Sequence, residues 1–151
     1  MFSIESVMST DLITIQPGAS LADARSLMQD NHIHHLPVVA RKDELVGLLT
    51  LTDVLRAQDS VLRDEDRIKA ADIVVDDVMV TNVATVSRDA SLRQAALFIE
   101  KHSIGCLPVL KNDRLVGIIT DSDFVAVAIN LLEQIEETEP VDEDFEDVDV
   151  A

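Results

Sequence analysis

Apolar residues in the first part of the chain follow two spacings in turn. The run Leu12–Ile15 is rich in β-branched residues and predicts a strand. Apolar positions then recur at helical spacing from Ser20 to about Asn31, and Ser20 with Asp23 has the spacing of a helix capping box. Two apolar runs joined by a short polar loop predict a hairpin, and a second helix is expected from about Thr52. The hairpin runs are Leu36–Val39 and Leu45–Thr50. The predicted order is β-α-β-β-α.

The second half of the chain repeats this pattern in the same register. It predicts a strand at Val83–Val86, a helix from Ser91 to about Ser103, a hairpin, and a second helix from about Ser122. Ser91 with Gln94 has the spacing of a helix capping box. The hairpin runs are Cys106–Leu110 and Leu115–Thr120. Identical short segments recur at matching positions, with one residue missing from the second hairpin loop. These segments are Val7-Met8 with Val78-Met79, Ala19-Ser20-Leu21 with Ala90-Ser91-Leu92, Leu36-Pro37-Val38 with Leu107-Pro108-Val109, Leu45-Val46-Gly47 with Leu115-Val116-Gly117, and Thr50-x-x-Asp53 with Thr120-x-x-Asp123. The chain is therefore predicted to be an internal duplication.

A single copy would bury too little apolar surface to be stable alone. Two copies packed sheet to sheet remove this problem, and they predict an α/β (α+β) fold with an internal pseudo-twofold axis and a cleft where the copies meet. The expected boundaries are 1–58 and 77–134 for the two repeats and 59–76 for a charged, partly helical connector. The last segment, 135–151, is rich in like charge and is expected to be a disordered acidic tail.

The net charge bears on the partners that the protein can bind, and the cysteine content bears on its location. The formal net charge is -17, and ten of the acidic residues lie between Glu133 and the end of the chain. No basic face is visible, so neither nucleic acid nor an anionic membrane is an expected partner. The single cysteine, Cys106, allows no intrachain disulfide and agrees with a cytoplasmic location. The sequence shows no signal peptide and no apolar run of the roughly 20 residues that cross a bilayer.

The order of elements and two paired motifs resemble the CBS-domain family, which is named for cystathionine β-synthase. The first motif, Ile-x-x-Leu-Pro-Val, begins at Ile33 and at Ile104. The second, Gly-h-h-Thr-x-x-Asp with h aliphatic, begins at Gly47 and at Gly117. The resemblance covers about residues 5–132. It implies a tandem pair of CBS repeats, or Bateman module, that binds an adenine nucleotide (AMP, ADP or ATP) in the cleft between the repeats.

The resemblance also implies which residues contact the ligand. Asp53 or Asp123 would accept hydrogen bonds from both ribose hydroxyls, because a carboxylate offers two acceptor oxygens to the two donors of a diol. Histidines and an arginine of the first copy would lie near the phosphates, whereas the second copy has Gly105, Cys106 and Ala126 at the matching positions. At most one phosphate site is therefore expected. The implied ligand-binding residues are Thr14, Ile33, His34, His35, Thr50, Asp53, Arg56, Thr85, Ile104, Thr120 and Asp123.

Several of these residues have a purely structural interpretation. Thr-x-x-Asp before an apolar run is also a helix capping box, and capping and ligand binding can coexist. The histidines His32, His34 and His35 have no further residue at metal-ligand spacing, so no metal site is expected. Cys106 leads directly into a strand and is interpreted as a small buried apolar residue. No nucleophile–base pair, Gly-rich phosphate loop or metal constellation is visible, so the protein is not expected to be an enzyme.

Three functional hypotheses remain. The first is an adenine-nucleotide sensor that signals in trans to an unidentified protein target, because no enzyme or channel domain accompanies the repeats in this sequence. The second is a structural dimerisation module whose pocket is vestigial. The third is a sensor of S-adenosylmethionine, which uses the ribose contact and needs no phosphate site. A homodimer is expected in each case, through apolar helices near Val54–Leu55 and Phe124–Leu132.

Overall fold

Five helices and five strands form the regular structure of residues 3–63 and 72–137, the residues that the computed structural model describes. In chain order they are α1 (Ile4–Val7), α2 (Leu21–Asn31), β1 (His35–Val39), β2 (Leu45–Thr50), α3 (Leu51–Arg63), β3 (Val86–Ser87), α4 (Leu92–His102), β4 (Cys106–Lys111), β5 (Arg114–Thr120) and α5 (Asp121–Glu136). Two small sheets combined with helices confirm the predicted α+β fold class. Residues 64–71 of the predicted connector and 138–151 of the predicted tail lie outside the described residues.

Side-chain caps begin the first long helix of each repeat. The Ser20 hydroxyl accepts a hydrogen bond of 3.0 Å from the backbone N–H of Asp23 at the start of α2. At the start of α4, Ser91 and Gln94 each accept a 3.0 Å bond from the other's backbone N–H. The predicted capping box is therefore confirmed at Ser91, and at Ser20 the serine half of the box is present. Both helices stop at residues in the left-handed region, His32 (φ 53°) and Ser103 (φ 51°), whose geometry ends the helical bonding.

The two predicted hairpins are both present and share their irregularities. β1 pairs antiparallel with β2, and β4 pairs antiparallel with β5. Each pairing has a register shift at the same place in its repeat, after Val38 in β1 and after Val109 in β4. Polar residues take the left-handed backbone conformations that the tight loops need. These residues are Lys42, Asp43, Asn112 and Asp113.

The first strand of each repeat is shorter than the apolar pattern predicted. Of the run Leu12–Ile15, only Ile15 pairs in a sheet, through a parallel bridge to Val38 in β1. In the second repeat the strand begins at the last residue of the predicted run and covers Val86–Ser87, beside β4. In the first repeat Leu12 and Ile13 instead line a cleft, and Ile13 also packs against the core of that repeat, so their apolar character does not require a longer ladder.

Each repeat completes its hydrophobic core with a segment from the other half of the chain. The core of the first repeat includes Val75, which is fully buried although it lies beyond α3 in sequence. The core of the second includes Ile4, also fully buried, from the start of the chain. Antiparallel bridges hold the exchanged segments, Ser9 to Ile118 and Leu48 to Val80. This reciprocal exchange gives the pair its pseudo-twofold character. The remaining buried members of the first core are Ile15, Leu21, Ala24, Met28, Leu36, Val38, Leu49 and Val54, and those of the second are Ala95, Leu107, Val109 and Ile119.

The apolar residues left on the surface are concentrated on α5. Val125, Ile129 and Leu132 of this helix are each more than half exposed. In the region of α3 where sequence predicted pairing, Val54 is instead buried in the first core, and Leu55 is 44% exposed. Within the described ranges, the helices all fall short of the length and apolar content that a membrane-crossing segment requires.

Candidate ligand-binding cleft

A cleft of about 400 Å³ lies between the two repeats. One wall is formed by the end of α2 and the start of β1, and a second by the segment that precedes α2. The third wall is the junction of β5 with α5 in the other repeat. The lining residues are Ser9, Asp11, Leu12, Ile13, His32, Ile33, His34, His35, Pro37, Ile118, Thr120, Asp121, Ser122 and Asp123. A cavity of this size, with mixed apolar and polar walls, is typical of small-molecule sites.

The cleft brings together five of the residues that the family resemblance implied. They are Ile33, His34 and His35 from the first repeat and Thr120 and Asp123 from the second. The two motifs thus combine crosswise, because the segment before Leu-Pro-Val in one repeat faces the Thr-x-x-Asp segment of the other. The segment exchange described above produces this crossing.

The other six implied residues do not line this cleft. Thr50 and Asp53 are half-buried at the β2–α3 junction, and Arg56 is exposed on α3. Ile104 packs against the second hydrophobic core. Thr14 is half-buried outside the cleft wall. Thr85 is exposed and lines a separate groove of about 240 Å³, whose other residues include Thr81 and Val83.

Both Thr-x-x-Asp segments cap the helix that follows them, through different side-chain hydrogen bonds. In the first repeat, the Thr50 hydroxyl accepts a 3.1 Å hydrogen bond from the backbone N–H of Asp53. In the second repeat, Asp123 Oδ2 accepts bonds from the backbone N–H of Thr120 at 2.8 Å and from its hydroxyl at 3.3 Å. The structural interpretation of these residues therefore holds in both repeats. Among the hydrogen bonds of the described residues, none engages Asp123 Oδ1, so capping leaves this acceptor for a ligand.

His35, Gly105 and Asp121 meet where the two repeats touch. A Cβ built on Gly105 would lie 3.7 Å from His35 Cε1 and 3.7 Å from Asp121 Oδ2. The carbonyl of Gly105 also accepts a 3.1 Å hydrogen bond from the N–H of Asp121, which ties β4 to the start of α5. Burial, and after it the neighbouring His34, lowers the pKa of His35 below its ordinary value of 6.5, while Asp121 acts in the opposite direction. This shift favours the uncharged form of the His35 ring.

Cys106 follows Gly105 and is a core residue of the interface region. Its side chain is 5% exposed, which confirms the interpretation as a small buried residue. Burial raises the pKa of its thiol to about 12, and the carboxylates of Asp121 and Asp123 add to the increase. An uncharged thiol of this kind is a poor nucleophile.

Sequence reasoning missed several cleft residues. Asp121 and Ser122 occupy the variable positions inside Thr-x-x-Asp, so their place in the motif is the signal that could have identified them. Leu12 and Ile13 were interpreted as strand residues. Asp11 carried no signal of its own. The cleft residues that were not foreseen are Ser9, Asp11, Leu12, Ile13, Pro37, Ile118, Asp121 and Ser122. Within the described ranges, no group of three or more His, Cys, Asp or Glu side chains is arranged to hold a metal ion.

A family model of the CBS domain matches the chain twice, at residues 4–60 and at residues 75–130. The chain belongs to the CBS-domain family. The two matches coincide with the two repeats seen in the fold, and the CBS motifs of each repeat supply opposite walls of the cleft.

Relatives carry this CBS pair in proteins of different lengths. A CBS domain-containing protein of Dictyostelium discoideum is 33% identical over 137 residues, which are 87% of this chain and 94% of that protein. A homoserine O-acetyltransferase of Methanohalobium evestigatum is 31% identical over 122 residues, which are 80% of this chain. The chain spans only 23% of the length of the latter, so the acetyltransferase name belongs to a much longer protein.

Three solved CBS structures resemble the whole fold. A candidate acetoin utilization protein (AcuB) of Vibrio cholerae is 42% identical with a TM-score of 0.78, and the match covers 93% of this chain and 99% of that one. CBSX2, solved in complex with AMP, is 26% identical with a TM-score of 0.75 and coverages of 87% and 99%. The CBS pair of protein MJ0100, solved with 5′-methylthioadenosine and S-adenosyl-L-methionine, is 25% identical with a TM-score of 0.72 and coverages of 84% and 99%. Both ligand-bound neighbours hold adenosyl compounds.

Proposed function

We propose that this CBS pair is a regulatory module that binds an adenosyl ligand in the cleft between its repeats and performs no chemistry itself. The observation that carries the proposal is the crosswise arrangement of family motifs around one cavity of suitable size. The adenosyl compounds bound by CBSX2 and by the MJ0100 pair support it. Because the ligand would contact both repeats, its binding would bias their relative packing, and a protein target could respond to that change.

In this proposal Asp123 accepts hydrogen bonds from the ribose, and Thr120 supports its orientation. Asp123 Oδ1 is the acceptor that capping leaves for the diol, and its Oδ2 is already held by Thr120. Ile33 contributes an apolar surface for the base. His34 and His35 would then lie toward the 5′ end of the ligand, where AMP, ADP and ATP carry phosphates and S-adenosylmethionine carries a sulfonium group. These ligands share the adenosyl moiety on which the proposal rests.

Titration calorimetry with matched aspartate variants tests this function. Protein extracted free of carried-over ligand would be titrated with adenosine, AMP, ATP and S-adenosylmethionine. We expect saturable binding of at least one, and a loss of at least about tenfold in affinity for Asp123→Ala, because charge-assisted hydrogen bonds to the ribose disappear. Asp53→Ala is the control, since it changes the matching residue outside this cleft. Folded, empty protein that binds none of the four compounds would instead favour the structural module with a vestigial pocket.

We further propose that the protein forms a homodimer through α5. Val125, Ile129 and Leu132 follow the i, i+4, i+7 spacing of a single helix face, and their exposed fractions are 59%, 53% and 54%. A stripe of this kind on a water-facing helix is typical of a protein interface. The dimer would place two clefts in one assembly, so that ligand binding at one could influence a partner surface built from both chains.

Sedimentation equilibrium of charge-introducing variants tests the dimer. We expect a dimer for the unaltered protein and a shift to monomer for Ile129→Glu, because a carboxylate would be buried at the centre of the interface. Leu97→Glu introduces the same charge at an equally exposed position on α4 and should leave the dimer intact. A monomeric unaltered protein would overturn the proposal without affecting the ligand site.

A further inference from the structure

Carboxylates outnumber positive charges on the wall of the cleft at neutral pH. Asp11, Asp121 and Asp123 line it, and neither Lys nor Arg is among the described residues that do so. The other ionisable side chains that line the cleft, among the described residues, are the imidazoles of His32, His34 and His35. The guanidinium of Arg25 lines an adjoining groove that shares His32 and His34 with the cleft. Burial and the adjacent His34 lower the pKa of His35, which disfavours the charged imidazolium that would balance a bound phosphate.

Asp121 lies at the contact between the repeats, beside His35 and Gly105. It is the first residue of α5, and its Oδ1 accepts a 2.9 Å hydrogen bond from the backbone N–H of Ser122. Its Oδ2 approaches the same point above Gly105 as the ring of His35 does, at 3.7 Å each. The carboxylate therefore faces the part of the cleft to which the histidines contribute.

The position of Asp121 in the first turn of α5 also weakens the attraction of the helix N-terminus for anions. The N-terminus of a long helix carries partial positive charge and unpaired N–H groups that favour phosphate. In α5, Asp121 and Asp123 both lie in the first turn, where their charges offset that field. Asp121 also occupies one of the N–H donors, that of Ser122, with its own side chain.

The two additional acids are not part of the repeated motif. The first repeat has Leu51 at the position that matches Asp121, and the second repeat has Asn82 at the position that matches Asp11. Each acid comes from a different repeat, yet the crosswise packing brings both to the same cleft. The negative wall is therefore a property of this one cleft and does not follow from the CBS motifs themselves.

We propose that Asp121 makes the cleft discriminate against a phosphate on the 5′ carbon, so that its adenosyl ligand carries an uncharged or positively charged group there. This inference rests on the proposed function and narrows the class of ligand. Like charges at close range in a partly desolvated cleft repel one another, and a phosphate monoester would bring about two negative charges next to Asp121. A thioether adds no charge at this position, and a sulfonium cation is attracted by the same carboxylate.

Paired titrations of two adenosyl ligands that differ only in their 5′ group test this selectivity. AMP and 5′-methylthioadenosine would be titrated at neutral pH and one ionic strength, with adenosine as the common reference and S-adenosylmethionine as the cationic case. We expect 5′-methylthioadenosine to bind at least about tenfold more tightly than AMP. Asp121→Asn should reduce this ratio by about three- to tenfold, mainly through tighter AMP binding.

Asp113→Asn is the matched control, because it removes the same charge at the other end of β5 and Asn accepts the left-handed backbone found there. It should leave the ratio unchanged. AMP binding as tight as that of 5′-methylthioadenosine, or an identical ratio in Asp121→Asn, would overturn the selectivity while leaving the adenosyl site intact. Failure of every compound, adenosine included, to bind folded protein would overturn the proposed function itself.

Discussion

Met79 lies over Gly47 so closely that the glycine position has no room for a side chain. A Cβ built on Gly47 would lie 2.5 Å from Met79 Sδ and 3.1 Å from the carbonyl oxygen of Val80. The same contact recurs with the repeats reversed, where a Cβ on Gly117 would lie 2.9 Å from Met8 Cγ. The repeated Gly and Met of the sequence are therefore reciprocal partners, each glycine receiving the methionine that begins the other repeat.

Gly47→Ala should destabilise the protein by about 1–3 kcal/mol, because the added methyl group overpacks this contact. Val80 cannot move away freely, since its carbonyl accepts a hydrogen bond from Leu48 in β2. The free energy of unfolding in urea measures the effect. The double variant with Met79→Ala should lose less stability than the sum of the two single changes, by about 1 kcal/mol.

Gly18→Ala is the control for that substitution. No atom lies within 4 Å of a Cβ built on Gly18, and its backbone is not in the left-handed region, so the change should be neutral or slightly stabilising. If the two alanine variants unfold at the same urea concentration, the close contact between Gly47 and Met79 does not contribute to stability.

Ile4→Ala should weaken the second repeat although Ile4 belongs to the first repeat in sequence. The side chain is fully buried in the second core, so its truncation should lower stability by about 2–5 kcal/mol. Native-state hydrogen exchange should become faster in β4 and β5 than in β1 and β2. Val75→Ala, in the first core, should produce the opposite distribution. Faster exchange confined to β1 and β2 in Ile4→Ala would contradict the exchanged packing.

Stability should fall as the pH decreases below about 6.5, and His35 should contribute to this fall. The pKa of His35 is lowered in the folded protein by burial and by His34, against the opposing effect of Asp121. The unfolded chain therefore binds more protons than the folded one in this range, and protonation favours unfolding. Thermal unfolding at a series of pH values should show a smaller pH dependence for His35→Gln than for the unaltered protein.

The exposed His102 provides the control for this pH effect. It stacks on Phe98 at 4.3 Å between ring centroids, on the outer side of α4. His102→Gln should retain the pH dependence of the unaltered protein. Identical pH profiles for His35→Gln and the unaltered protein would show that His35 titrates alike in the folded and unfolded states.

Cys106 should resist thiol reagents until the protein unfolds. With its pKa raised to about 12 and its side chain 5% exposed, almost none of it is thiolate at mildly alkaline pH. The rate of labelling by a disulfide reagent should be at least about a hundredfold lower in native protein than in urea. Rapid stoichiometric labelling of native protein would mean that this part of the interface opens readily.

Local features were predictable from sequence, and relations between the repeats were not. The caps at Ser20 and Ser91 and both hairpins followed from spacing alone, because their determinants are close in the chain. The strand at Leu12–Ile15 was overestimated, since apolar residues that line a cleft or pack against a core have the same pattern as residues in a ladder. His34 shares a cleft with Asp123, and not with Asp53, because of the segment exchange, and the spacing within one repeat does not indicate that exchange.

The exchange of the segments that contain Ile4 and Val75 also bears on how such a fold can arise. A chain with only one repeat would carry a core that lacks its Ile4 or Val75 equivalent, and it would carry a segment able to complete the same core in another molecule. Two such chains could satisfy each other by the geometry seen within this protein. The tandem pair therefore has the architecture of a segment-swapped homodimer whose subunits have become covalently joined.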